Sequence, residues 1–179
     1  PKYLPRQSIW STPAAVDLNG DRELDLVFGT GGDFGGTSGH RVSAITARTG
    51  KSLPGWPVAA PGNVYGSPAV GDVTGDGKLD VVFASQGGYV QAHRADGSRI
   101  WRVCNAWGPS ACSTGYATHG TAVIADLNGD GAVEVISALD KHLRVFRGLD
   151  GATQSDQVLE GYQQPAVFGT VGSATVAPV

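Results

Sequence analysis

The chain of 179 residues has a formal charge of −3, is 41% hydrophobic and contains 27 glycines and 10 prolines. This composition supplies a buried core and favours many short strands and turns over long helices. Lys and Arg are scattered singly, which argues against a nucleic-acid or anionic-lipid surface, and no apolar run approaches the roughly 18 to 20 residues of a membrane span. The N-terminus lacks a charged-then-apolar leader pattern, and a chain that starts at Pro1 and contains no Met reads as a processed or partial piece of something longer.

Along the chain one pattern recurs. Small residues come first: Ser11 to Val16, then Ser67 to Gly71, then Thr121 to Ala125. Each run leads into an Asp-rich loop: Asp17 to Asp25, Asp72 to Asp80 and Asp126 to Glu134. A nearly continuous apolar stretch follows at once (Leu26-Val27-Phe28, Val81-Val82-Phe83, Val135-Ile136), which predicts a strand buried on both faces. A third, alternating strand is expected at 41–45, 89–93 and 143–146, closed by turns at Arg48-Thr49-Gly50, Asp96-Gly97 and Asp150-Gly151. An outer strand is expected at Leu53 to Val58 and at Arg99 to Val103, and in the third unit it degenerates to Gln154 through Leu159. The first Asp of each loop sets periods of 55 and 54 residues. Four antiparallel strands at this interval describe stacked β units, a repeat architecture.

The loops carry the chemistry. Counted from the first Asp, oxygen-bearing side chains stand at positions 1, 3, 5 and 9: Asp17, Asn19, Asp21, Asp25; Asp72, Thr74, Asp76, Asp80; Asp126, Asn128, Asp130, Glu134. Hard cations such as Ca2+ take oxygen ligands of this kind. Position 7 is Glu23, Lys78 or Ala132, and a position that accepts all three is read as ligating through its backbone carbonyl. The likeness to an EF-hand covers only the first half of the loop, because position 12 is Phe28, Phe83 or Ser137 rather than a bidentate Glu. Nine of the 16 acidic residues fall at these positions, so up to three Ca2+ ions would relieve their mutual repulsion and reverse the sign of the net charge. Gly20, Gly75 and Gly129 allow the sharp turn at position 4. At position 6 Arg22 replaces the glycine found at Gly77 and Gly131, so the first loop is expected to bind most weakly. Anchored between strands, the ions read as structural cross-links, with affinities between about micromolar and millimolar.

The insertions fall outside the repeat. Gly29 to Gly39 lengthens the link between the second and third strands of the first unit, and Cys104 to His119 joins the second and third units. Cys104 and Cys112 are expected to form a local disulfide, the alternative being two reduced thiols. Trp56 and Trp101 occupy equivalent positions and predict packing between units, whereas Trp107 lies within the insertion. If the chain offers a carbohydrate or protein contact, Asn105–Tyr116 and then Gly29–Gly39 are the candidate surfaces. His40, His93, His119 and His142 fall at different phases, none with a neighbouring nucleophile and acid, and His93 and His142 read as solvated surface residues. No catalytic residue is assigned.

The stretches Ser67 to Asp80 and Leu53-Pro54-Gly55-Trp56-Pro57-Val58 resemble the FG-GAP repeats of integrin α-subunits and the related VCBS repeats of bacterial secreted proteins. The resemblance implies an all-β fold of propeller blades, calcium between the first two strands of a blade, and an extracellular or cell-surface location. On that frame residues 1–7 are the end of a preceding blade or a linker, 8–60 blade one, 61–115 blade two, 116–168 blade three, and 169–179 the innermost strand of a fourth. About three blades plus one strand are too few to close a ring of seven. Either the chain is a segment of a longer polypeptide, or neighbouring copies complete one another by strand exchange in a head-to-tail assembly. The function expected is adhesion, recognition or assembly without catalysis, the alternative being a propeller domain of a secreted polysaccharide lyase or hydrolase. The partners expected are a protein or carbohydrate at an extracellular surface, copies of the chain, or missing blades of the same polypeptide.

Overall fold

A computed structural model of the chain describes residues 7–32, 39–105, 112, 120–139 and 142–158. Three antiparallel sheets follow one another along the sequence. The first contains β1 (Gln7–Ser8), β2 (Ala14–Val16), β3 (Asp25–Gly32), β4 (Arg41–Thr46) and β5 (Val58–Ala59). Here β2 pairs with the start of β3 (Val16 opposite Asp25) and β1 with its end (Ser8 opposite Gly31), while β4 and then β5 continue on the other side. The second sheet runs β6 (Ala69–Gly71), β7 (Asp80–Ser85), β8 (Tyr89–Arg94), β9 (Arg99–Cys104). The third runs β10 (Val123–Ala125), β11 (Glu134–Leu139), β12 (His142–Arg147), β13 (Thr153–Val158). These are three successive four-stranded blades of an unclosed β-propeller, β1 being an addition to the first.

The core lies between blades. Leu18, Val27, Val42, Ala44, Leu53, Trp56, Val64, Val81 and Phe83 form one apolar cluster, between the first and second blades. Val73, Val82, Ala84, Val90, Ala92, Trp101, Ala122, Val135 and Phe146 form the next. Strand β7 contributes to both. Its side chains alternate, so Val81 and Phe83 face one neighbour while Val82 and Ala84 face the other. That double burial is why the strand is apolar throughout. The first and second blades also each close on the next through a tryptophan: Trp56 Nε1 donates to the Ala95 carbonyl at 2.8 Å, and Trp101 Nε1 to the Gly148 carbonyl at 2.6 Å.

A second set of ties runs along the innermost strands. Thr12 N–H donates to Ser67 Oγ at 2.9 Å, and Ser67 N–H to Thr121 Oγ1 at 3.2 Å. The partners are 55 and 54 residues apart, one repeat each. Within the first blade Ser11 Oγ accepts Gly29 N–H at 2.8 Å and donates to the Gly29 carbonyl at 3.2 Å, which satisfies a buried hydroxyl.

Several expectations need correction. The outer strand of the third blade is a continuous six-residue strand, Thr153–Val158, paired along β12 with a register shift between Val145 and Phe146. In the first blade Leu53–Trp56 forms a turn, and the outer segment pairs with β4 as the two-residue strand Val58–Ala59 and through an isolated bridge between Ser52 and Ile45. Gly29–Gly32 belongs to β3 rather than to a loop, because a Cβ at Gly29 would meet Val64 at 2.4 Å and one at Gly31 would meet Tyr65 at 2.9 Å. The glycines let the next segment lie directly on the strand. His93 and His142 are 5% and 6% exposed, not solvated. His93 stacks on Phe83 with ring centroids 5.4 Å apart, and its Nδ1 lies 3.0 Å from the Gly97 carbonyl, which fixes that nitrogen as the donor. His142 Nδ1 lies 2.7 Å from Asp156 Oδ1, and Arg144 bonds the other oxygen of that carboxylate at 3.0 Å. The cysteine pair is a disulfide, with Cα atoms 5.9 Å apart. The fourth innermost strand expected at 169–179, Trp107, and residues 33–38 of the Gly-rich insertion lie outside the described residues.

Phe83→Ala removes the largest fully buried side chain of the first inter-blade cluster and is expected to cost about 3–5 kcal/mol in urea unfolding. Burial holds the His93 imidazole below its ordinary value of 6.5, with the nearby Arg99 charge acting in the same direction and the Gly97 carbonyl opposing. Its neutral form is therefore the folded one, and the unfolded chain takes up the proton first as pH falls. Stability from this group is complete above about pH 6.5 and declines below it, down to the folded value. His93→Phe, which keeps the stack on Phe83, should reduce the loss of Tm between roughly pH 7.5 and pH 5.5. An unchanged acid-side slope would show that other groups dominate it.

Candidate metal centres in three repeated loops

Each Asp-rich loop joins the innermost strand of a blade to the second, so its ninth residue is the first residue of β3, β7 or β11. The first Asp organises the turn. Asp17 Oδ1 accepts the N–H groups of Gly20 (2.8 Å) and Asp21 (3.0 Å), and Oδ2 that of Arg22 (2.8 Å). Asp72 does the same with Gly75, Asp76 and Gly77 (2.7, 3.1 and 2.7 Å), and Asp126 with Gly129 and Gly131 (2.7 and 2.9 Å). The position-3 amides Asn19 and Asn128 each accept the N–H of position 5 at 2.9 Å, while Thr74 Oγ1 lies 3.4 Å from Asp72 Oδ1 and 3.3 Å from Asp80 Oδ2. Asp21, Asp76 and Asp130 accept the N–H of position 7, that is of Glu23, Lys78 and Ala132, at 2.8, 2.9 and 2.8 Å. The Glu23 side chain turns away to Arg48 at 2.8 Å.

Position 9 behaves differently, because it sits at the root of a buried strand. Asp25, Asp80 and Glu134 are 0%, 1% and 3% exposed. One oxygen of each reaches back to the N–H of position 2: Asp25 Oδ2 to Leu18 (3.1 Å), Asp80 Oδ2 to Val73 (3.1 Å), Glu134 Oε2 to Leu127 (2.9 Å). The other oxygen of Asp25 and of Asp80 is buried with no hydrogen-bond partner. Burial pushes both carboxyls above the ordinary value; the N–H groups of Leu18 and Val73 oppose this, and the loop carboxylates Asp21 and Asp17 in one case and Asp76 in the other add to it. Asp126 is lowered, chiefly by the Gly131 and Gly129 N–H groups, and in Asp72 burial is outweighed by the N–H groups of Gly77, Gly75 and Asp76. The second loop thus holds a carboxyl lowered by backbone N–H groups at its mouth, Asp72, and one raised by burial at its base, Asp80.

Among the described residues no three His, Cys, Asp or Glu side chains are gathered into a metal-holding cluster. The acidic groups at positions 1 and 5 are held by backbone N–H groups. The donor chemistry nevertheless fits a hard cation: two uncompensated buried carboxylate oxygens at the base of two loops, with oxygen side chains at three further positions of the same loop. Asp80 opens to the surface through a cleft of about 400 Å³ lined also by Asn19, Asp76, Lys78 and Arg94, so the first and second loops share one solvent approach. The spacing of the acids was legible in the sequence. That position 9 alone is buried was not, because its burial comes from the strand it begins.

Three unclosed blades, each with an oxygen-rich loop between its first two strands, define a segment of a repeat β-propeller. The family profile described as the FG-GAP-like repeat matches residues 17–83 and 72–137, and the chain belongs to that family. Among solved structures it is similar to the Vibrio cholerae biofilm matrix protein Bap1 (19% identity, TM-score 0.57, 82% of this chain and 30% of that one). It is also similar to BamB from Moraxella catarrhalis (18%, TM-score 0.53, 84% and 38%). A third likeness is to a quinohemoprotein alcohol dehydrogenase from Pseudomonas putida HK5 (19%, TM-score 0.55, 86% and 21%). At these identities the likeness is one of fold, and the chain spans between a fifth and two fifths of their lengths. No curated protein matches the chain.

Position 6 adopts a left-handed conformation in all three loops: φ is 72° at Arg22, 79° at Gly77 and 86° at Gly131. A non-glycine residue pays for this with steric strain. Arg22→Gly should therefore stabilise the protein, by up to about 1 kcal/mol, and Gly77→Arg should destabilise it; urea unfolding of the two variants checks the sign.

Proposed function

We propose that the chain is a calcium-stabilised segment of an extracellular β-propeller that serves adhesion, recognition or assembly and carries no catalytic centre of its own. The observation that supports calcium most directly is the pair of buried, unpartnered oxygens, Asp25 Oδ1 and Asp80 Oδ1. A bare buried carboxylate oxygen costs several kcal/mol unless something compensates it, and a divalent cation does so without filling the space with hydrogen-bond donors. The side chains at positions 1, 3, 5 and 9 and the backbone carbonyl at position 7 would hold the ion. It would then fasten the end of the innermost strand to the start of the second in each blade. Loops tied at both ends to packed strands have little freedom to open, which favours a structural over a signalling role. The disulfide at the end of β9 supports an oxidising compartment. Of the similar structures, one is a biofilm matrix protein, which agrees with an extracellular recognition or assembly role.

Calcium titration of thermal unfolding tests this reading. At a hundredfold excess over Kd one ion adds about 2.7 kcal/mol, so chelation should lower Tm and calcium should restore it. Asp80→Asn should shrink the calcium-induced rise while leaving the chelated protein as stable as the parent or more so, since it removes an uncompensated buried charge. Melting that is insensitive to both chelator and calcium would sink the metal assignment.

A further inference from the structure

The chain holds two Asn-Gly pairs, and both stand at the same point of the repeat. Asn19-Gly20 and Asn128-Gly129 occupy positions 3 and 4 of the first and third Asp-rich loops, where the second loop has Thr74-Gly75. The other two asparagines differ in sequence and in setting: Asn63 precedes Val64, Asn105 precedes Ala106, and both are buried. Asn19, Gly20, Asn128 and Gly129 are all exposed. A Cβ built on Gly20 or Gly129 would meet nothing within 4 Å, and the same holds at Gly75 in the middle blade, so the openness belongs to the loop tip itself. A glycine after Asn leaves the peptide nitrogen between them without a side chain to shield it.

The two side-chain amides are held unequally. Asn19 Oδ1 accepts the Asp21 N–H at 2.9 Å, and its Nδ2 donates to Asp21 Oδ2 at 2.9 Å. Asn128 Oδ1 accepts the Asp130 N–H at 2.9 Å, and among the described residues its side chain makes no second bond. In both loops the glycine N–H is donated to the first acid, Gly20 to Asp17 Oδ1 at 2.8 Å and Gly129 to Asp126 Oδ1 at 2.7 Å. That bond has to open before the nitrogen can react, and it lies at an exposed loop tip rather than under a packed strand.

We propose that Asn128, and more slowly Asn19, are sites of spontaneous deamidation. The nitrogen of the following glycine attacks Cγ of the Asn side chain. A new N–C bond closes a five-membered imide, the side-chain amide C–N bond breaks, and the amide leaves as ammonia with the proton from the glycine nitrogen. Water then opens the imide at either carbonyl, giving aspartate or isoaspartate. Thr74 has no carboxamide to lose, so the second loop is inert. Either product puts a carboxylate at position 3. With aspartate, the loop carries acids at positions 1, 3, 5 and 9. On the reading that these loops hold calcium, the added ligand charge tightens the site and increases the repulsion within the calcium-free loop. Isoaspartate instead routes the main chain through the former side-chain carbon, one atom longer between positions 3 and 4. In the third loop this shifts the Gly129 and Gly131 N–H groups out of register with Asp126. One imide thus leads to a strengthened loop or a broken one.

Peptide mapping by mass spectrometry tests the proposal on the folded chain, incubated with chelator at mildly alkaline pH. Asn128 should convert first, Asn19 should lag by roughly two- to tenfold for its one additional hydrogen bond, and Asn63 and Asn105 should stay intact. Part of the converted material should accept a methyl group from an isoaspartyl methyltransferase, which does not act on ordinary aspartate. Thr74→Asn should create a third reactive site in a loop with a blade on either side, and it should fold because its sister loops carry the same residue there. The proposal is overturned if Asn128 stays intact in the folded chain while a peptide of residues 123–134 converts under the same conditions. Conversion of Asn19 ahead of Asn128 overturns it too, as does a folded Thr74→Asn whose new amide persists as long as those of Asn63 and Asn105. All of these are read in chelator and are independent of calcium binding. The consequence for calcium is read separately: Asn128→Asp should show a larger calcium-induced rise in Tm than the parent, and an equal or smaller rise overturns that link alone.

Discussion

A four-stranded sheet that is apolar on both faces cannot stand alone, and every other feature of this molecule answers to that constraint. β7 shows it most plainly, since four consecutive side chains divide between two neighbours and all are buried. The stabilising contacts therefore lie in the seams rather than within any one sheet. Burying Phe83 or Phe146 requires the adjacent blade to be present and in register. Tryptophan suits the outer end of a seam because it combines a large apolar area with a single N–H that needs a partner, and the turn of the next blade offers a carbonyl there. A small hydroxyl suits the inner end, where the sheets converge.

The Asp-rich loops are part of the same construction. Each begins where an innermost strand ends and finishes with an acid already inside the next strand, so its base is desolvated by the packing that buries the strand. The first acid of the loop is solvated and held by backbone N–H groups; the last is stripped of water and, in two loops, incompletely satisfied. Two carboxylates of the same loop are thereby driven in opposite directions, down at the mouth and up at the base, as the second loop shows with Asp72 and Asp80. The shared cleft beside Asp80, to which the first loop contributes Asn19, shows how close the loops of adjacent blades come.

The repeat, its phase and the strand order were legible because they rest on local rules: acids at fixed spacing, turn glycines, and apolar runs of strand length. What the sequence concealed depended on a neighbour. His93 looks polar and solvent-facing in an alternating strand, yet Phe83 and Trp56 of the seam enclose it. Gly29 and Gly31 look like loop residues because they lack side chains, and they lack side chains because Val64 and Tyr65 occupy that space. β13 looks degenerate because it has no tryptophan, but strand pairing needs only the backbone, and the ladder from His142 opposite Val158 to Phe146 opposite Thr153 forms without one. The docking function of an outer strand and its existence as a strand are separable, and only the first was written in the indole.

The hydroxyl ties from Thr12 to Ser67 and from Ser67 to Thr121 bear on how such a chain changes over evolutionary time. Each tie joins equivalent residues of adjacent units, so copying or deleting one whole unit exchanges a tie for an identical one. Inserting a single residue between the hydroxyl and its strand would put the donor and acceptor of two ties out of step at once. Length variation is therefore channelled away from the innermost strands, and the unit, rather than the residue, becomes the step by which this architecture grows or shrinks.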